Sequence, residues 1–141
     1  MKFWTRSECY YHNIKLKPDI KSRAEIVLLV DTFYDKVLHD KLLSYIFKDL
    51  SAVNFTYHLP VMYDFWENII LRTGSYEGNP MHLHRNIHHL TPLNDGHFRR
   101  WDNLFVLTVD ELFEGPKAKM AKERALSISA ILREKVLGNK R

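Results

Sequence analysis

The chain has one cysteine, Cys9, among its 141 residues, so no disulfide can form within it and its thiol usage fits a reducing compartment. Residues 1–20 hold no apolar run of signal-peptide length, and no later run approaches the length of a bilayer span. A cytoplasmic protein with no membrane contact is expected. Strand-like alternation, internal repeats and low-complexity tracts are also missing, which removes sheet and repeat architectures. Charge of one sign is never massed: the net value is only +4 and Lys and Arg are dispersed, so solvated helix faces are expected rather than a nucleic-acid footprint.

What remains is an ordinary globular balance, 45% hydrophobic and 27% charged, in a chain long enough to bury one substantial core. Residues 1–18 read as a polar extension and 19–141 as a single all-α domain. From Asp19 the pattern turns helical, with Ile26, Val30, Phe33 and Val37 forming one apolar stripe and Tyr34 on its edge. A short helical corner is expected over 41–47. A long helix is expected from about Asn54 to Arg72, with His58, Met62, Phe65 and Ile69 in line on its core face. Pro60 should kink that helix or lie just after its start, because it lacks an N–H and crowds the carbonyl four positions back.

Asn79-Pro80 pairs an N-cap with proline at the first helical position, predicting a helix that ends near His89. The next helix should open at Asn94 or Asp95 and present Phe98, Trp101, Phe105, Thr108 and Leu112 inward. Gly115 and Pro116 should then open a last helix, Pro116 to Leu137, burying Ala121, Ala125, Ile128 and Leu132.

Three apolar helix faces therefore carry a polar group: Tyr34, His58 and the Trp101 indole. His84 stands one turn into the helix that starts at Pro80, where its Nδ1–H can reach a backbone carbonyl and its other nitrogen is free to ligate. An imidazole opposite a phenol, a second imidazole and an indole N–H, among aromatics, suits an iron porphyrin. Phe33, Phe47, Met62, Phe65 and Ile69 would supply the walls. The duller alternative is a haem-free helical protein, with His84 and His88 at i and i+4 gripping zinc or another transition metal within the cluster His82, His84, His88 and His89. No Cys, Asp or Glu lies within 81–90 to complete that shell.

The segments Thr-Phe-Tyr-Asp-Lys-Val (32–37), Tyr-Ile-Phe (45–47), His-Leu-Pro-Val-Met-Tyr-Asp-Phe-Trp (58–66), Tyr-Glu-Gly-Asn-Pro-Met-His-Leu-His (76–84) and His-Phe-Arg-Arg-Trp-Asp-Asn-Leu-Phe (97–105) occur here in that order. In them the chain resembles the truncated haemoglobins, specifically the third group of bacterial two-over-two globins, from about Ile26 to Leu137. The resemblance implies a two-over-two helical sandwich of two antiparallel pairs, mostly built from the helix bearing His58 and the last two long helices. It implies His84 as the proximal iron ligand, Tyr34, His58 and Trp101 as the polar distal residues, and Phe33, Phe47, Phe65 and Trp66 as aromatic packing positions. The glycine-pair motifs of the other truncated groups are absent, as expected for the third. Two features depart from the pattern: a lead-in of 25 residues before Ile26, and Asp102 where an apolar residue is expected after the tryptophan. His97 is common in the family and is expected to be structural.

The cofactor expected is haem b, iron protoporphyrin IX held without a covalent link, since no Cys-x-x-Cys-His occurs. Oxygen, nitric oxide, carbon monoxide or peroxide would bind at its open position. Slow release behind several donors would argue against oxygen transport and for redox chemistry or scavenging, such as conversion of oxygen and nitric oxide to nitrate. An enzyme of that kind would need a separate reductase, because no flavin or nicotinamide motif is present.

Overall fold

The computed structural model describes residues 17–49, 55–73 and 93–138, with the side chains of 47–49 and 55 excepted. Within them lie five helices and no strand: α1 (Arg23–His39), α2 (Ser44–Asp49), α3 (Phe55–Leu71), α4 (Asp95–Leu112) and α5 (Pro116–Leu137). The helix expected from Pro80 to His89, with His84, lies outside the described residues.

Helix α1 buries Ile26, Leu29, Val30, Phe33, Tyr34 and Val37, a stripe wide enough to be covered on more than one side. It packs against α2, α3 and α4, while α4 packs against α5 and α3 touches α5 more lightly. The sandwich is thus a pair α1–α3 and a pair α4–α5, joined through α1 and α4. The His58 helix and the last two helices, expected to form most of it, are three of its four members; the fourth, α1, has the most neighbours among the described elements. Ion pairs Lys122–Asp110 and Arg133–Asp95 show that α4 and α5 run antiparallel, since one helix's numbering rises as the other's falls.

The core face of α3 also differs from the sequence reading. Trp66 and Ile70 are buried, whereas Met62, Phe65 and Ile69 are only half-buried against the core. Both stripes are apolar, and periodicity alone cannot say which of two adjacent stripes turns inward. Pro60 is accommodated in the second turn of a helix that begins at Phe55, so it neither starts nor breaks the element. Arg72, in the left-handed region at φ 59°, ends the helix.

The two C-terminal helices follow their local signals. Asn94 caps α4 by accepting the His97 N–H at 3.2 Å. Pro116 stands at the first position of α5, but its N-cap, Gly115, has no side chain to accept the N–H groups that follow. Asp19 does this from afar. Its carboxylate oxygens accept from Lys117 N–H at 3.1 Å and Ala118 N–H at 2.9 Å. Asp19 therefore lies outside α1, which starts four residues later than the pattern suggested, and serves the other end of the chain. The Pro18 carbonyl accepts from Glu114 N–H beside it, at 3.0 Å. Gly115 is required twice over: its φ is +133°, and a Cβ there would come within 2.6 Å of Asp19 Cγ.

Asp19→Ala leaves two helix N–H groups and a buried joint without an acceptor, and should lower unfolding free energy by about 1–3 kcal/mol in chemical denaturation. Asp19→Asn, which keeps one acceptor oxygen, should lose less.

Candidate functional site

Six aromatic rings gather where α1, α3 and α4 meet. Phe33 and Phe105, both fully buried, touch edge-on with centroids 5.2 Å apart. Trp66 stacks on Phe105 at 4.8 Å and Trp101 at 5.8 Å, so Phe105 is held between or beside two indoles. Phe65 meets Trp66 edge-on at 5.2 Å. Phe33 in turn stands edge-on to Tyr34 at 5.0 Å and to Trp101 at 5.1 Å. Edge-on contacts of this kind set rings perpendicular and leave little rotational freedom.

Two of the expected polar residues are brought into direct contact. The Tyr34 hydroxyl and His58 Nε2 are 2.9 Å apart, with both residues buried. Burial also pushes the Tyr34 phenol up from its ordinary pKa, so the hydroxyl keeps its proton at any physiological pH. The pair admits two arrangements. Tyr34 donates to an unprotonated Nε2, or a protonated Nε2 donates to the phenol oxygen and the O–H turns to another acceptor. Trp101 joins them through Phe33 and is half-buried, and none of the described residues accepts a hydrogen bond from its indole N–H. Met62, Phe65 and Ile69 form a half-buried apolar stripe on the same face of α3 as His58.

Of the residues expected at the site, Phe33, Tyr34, His58, Phe65, Trp66 and Trp101 therefore belong to one cluster, with Met62 and Ile69 along its α3 edge. His84 and the Phe47 side chain lie outside the described residues, as does the cluster His82, His84, His88 and His89. Among the described residues no group of three or more His, Cys, Asp or Glu side chains could hold a metal ion.

His97 takes a different place. Its Nδ1 accepts from the Asn94 N–H at 3.0 Å, completing a reciprocal capping box, and its Nε2 is 3.0 Å from the Tyr45 hydroxyl. Asp102 faces α5 instead of the ring cluster. Burial pushes its carboxyl up, a hydrogen bond with Ser129 and the charge of Arg133 oppose that, and Oδ1 has no hydrogen-bond partner among the described residues. The sequence reading did not mark Phe105 as hub of the stack, nor pair His97 with Tyr45 or Arg100 with Asp40. Phe105 was visible as a core position; that two indoles converge on it was not.

The donors present suit a flat apolar cofactor whose ligand carries partial negative charge: an O–H, an imidazole and an indole N–H beside an aromatic wall. No described helix is long and apolar enough to cross a membrane.

No family model matches the chain. It is similar to the group 3 truncated hemoglobin ctb of Campylobacter jejuni, with 26% identity over 118 residues that cover 82% of this chain and 91% of the relative. Its fold is similar to that of the crystal structure of group III truncated hemoglobin from Campylobacter jejuni, with a TM-score of 0.75 and 23% identity over 86% of this chain and 95% of that one. Two helix pairs joined at an aromatic crossing, together with this similarity across most of both chains, give the chain the all-α, two-over-two fold of the truncated globins.

Proposed function

We propose that the protein binds haem b and holds a diatomic ligand, such as oxygen, nitric oxide or carbon monoxide, against Tyr34, His58 and Trp101. The observation that carries this reading is the Tyr34–His58 contact at 2.9 Å beside an indole N–H with no acceptor among the described residues, all on one aromatic cluster. Bound haem would supply an iron able to take such a ligand. His84 would be its protein ligand, and Phe33, Phe47, Met62, Phe65, Trp66 and Ile69 would line the plane.

The distal residues then act as hydrogen-bond donors. Tyr34 stays protonated because its surroundings penalise the phenolate. His58 decides where that proton points: with its own proton on Nε2 it does not accept from the Tyr34 O–H, and with Nε2 bare it competes with the ligand for the same proton. The Trp101 N–H has no such competitor among the described residues and adds a second bond. Each neutral hydrogen bond in a dry pocket contributes about 1 kcal/mol net, more to an acceptor bearing charge. Two of them slow ligand escape by roughly one to three orders of magnitude, which favours retention and chemistry over oxygen transport.

That retention would suit conversion of oxygen and nitric oxide to nitrate, a reaction that would take one electron per cycle from a separate reductase. Peroxide is a further ligand these donors would accept. Stopped-flow mixing of the oxygenated protein with nitric oxide, with a reductase present, tests this finer reading. Oxidation in one round without turnover would remove the enzymatic role and leave a binder.

Absorption spectra of the ferric, ferrous and carbonylated protein should show a b-type haem, and His84→Ala should abolish or scramble them. Protein that stays colourless when grown with ample haem precursor would overturn the reading. Tyr34→Phe should speed oxygen release by roughly 5- to 100-fold, and an unchanged off-rate would take Tyr34 out of the ligand's reach.

A further inference from the structure

The first two turns of α4, which lead to Trp101, are fastened to the corner between α1 and α2 by two side-chain pairs. Arg100 sets Nε and Nη2 on Asp40 Oδ1 at 2.7 and 2.6 Å, while Asp40 Oδ2 accepts from the N–H groups of Leu42 and Leu43, each at 3.1 Å. Burial by itself would raise the Asp40 carboxyl, but the Arg100 guanidinium and those two N–H groups hold it below the usual carboxylate range. The second pair is His97 Nε2 with the Tyr45 hydroxyl at 3.0 Å, built on the same His97 whose Nδ1 accepts from Asn94 N–H.

The first pair is insensitive to mild acid, because its carboxylate is stabilised. The second is not. With Nδ1 committed as an acceptor, the imidazole must carry its one proton on Nε2 and donate it to the Tyr45 oxygen. Protonating Nδ1 turns it into a donor facing the Asn94 N–H, so two donors meet and the capping box opens. His97 is 6% exposed, which penalises the charged ring further.

The groups around it offer no compensation. From α2 it meets the neutral Tyr45 phenol; on its own helix Asp95 is engaged by Arg99 and by Arg133 of α5, and Arg100 by Asp40. No carboxylate among the described residues contacts the ring.

We propose that His97 is a proton-sensitive positioning residue for Trp101, its neutral ring holding the N-terminal turns of α4 on the α2 corner and its imidazolium releasing them. Trp101 lies one turn beyond His97 on α4, so loosening the cap frees the backbone that aims the indole. The consequence for ligand release rests on the distal role proposed above for Trp101; the clamp itself does not.

The direction with pH follows from burial. Burial lowers the His97 pKa below its ordinary 6.5, so the unfolded or loosened chain takes up the proton first. The clamp is fully closed above pH 6.5 and is lost as pH falls through the lower, folded value.

Nuclear magnetic resonance of the full-length protein between pH 8 and 5 reads both partners. The His97 ring and the Trp101 indole N–H should move together with one midpoint below 6.5. His97→Gln keeps an oxygen able to accept from Asn94 N–H, and should hold the indole signal at its neutral-pH position throughout. His97→Ala should place it at the acid position at every pH. An indole that stays still while His97 titrates, or that still shifts in His97→Gln, would overturn the proposal. In the haem-loaded protein, ligand release should quicken about 5-fold from pH 7 to pH 5 in the parent and not in His97→Gln. A shared NMR transition with a pH-independent release rate would leave the clamp standing and remove Trp101 from ligand donation.

Discussion

The contact between Phe33 of α1 and Phe105 of α4 is the constraint on which the other placements depend. Two fully buried rings meet edge-on at 5.2 Å, at the point where the two helix pairs are joined. Because Phe33 precedes Tyr34, the crossing also fixes where the phenol sits. Because Trp66 and Trp101 both stack on Phe105, it fixes the facing sides of α3 and of α4. Burying a phenylalanine contributes roughly 1.5–3 kcal/mol by transfer alone, so this one pair outweighs any single polar contact on the surface.

The ion pairs have a different role. Arg23 reaches Asp64 and Glu67 with its own side chain about half exposed, and Lys122–Asp110 and Lys36–Glu111 are similarly solvated. Pairs of that kind contribute between about zero and 1 kcal/mol each, so they record the register of neighbouring helices more than they hold it. Asp40 and Asp19 are the exceptions. Each buries a carboxylate against backbone N–H groups at a helix start, Asp40 at the corner before α2 and Asp19 at α5. There the charge is satisfied by several donors at once, and Asp19 completes a cap that the sequence around α5 lacks.

Around the aromatic hub the polar residues fall into two sets that do separate things. Tyr34, His58 and Trp101 carry donors that face or adjoin one another within the cluster. Tyr45, His97, Asp40 and Arg100 form a belt outside it, tying the α1–α2 corner to the start of α4. Placing the titrating imidazole of His97 in the belt rather than in the cluster lets proton uptake act on geometry without adding charge beside a ligand.

Amino-acid order alone determined the features whose causes lie within a turn or two of chain. Gly115, Pro116 and Gly138 bracket α5 to the residue, Asn94 marks the start of α4, and the stripe of α1 names its buried residues except Leu29. Tyr34, His58 and Trp101 were each visible as polar groups on apolar faces. Their meeting was not, since Tyr34 and His58 are 24 residues apart and only the α1–α3 packing closes the gap. Tertiary structure likewise decided that Trp66 and Ile70, not Met62, Phe65 and Ile69, turn innermost on α3, because two adjacent apolar stripes look alike until a neighbour covers one. It also sent Asp19 to cap a helix 98 residues away. Periodicity and capping are short-range signals carried by the chain itself; which surfaces meet depends on the sum of many weak burials, and no local pattern encodes that sum.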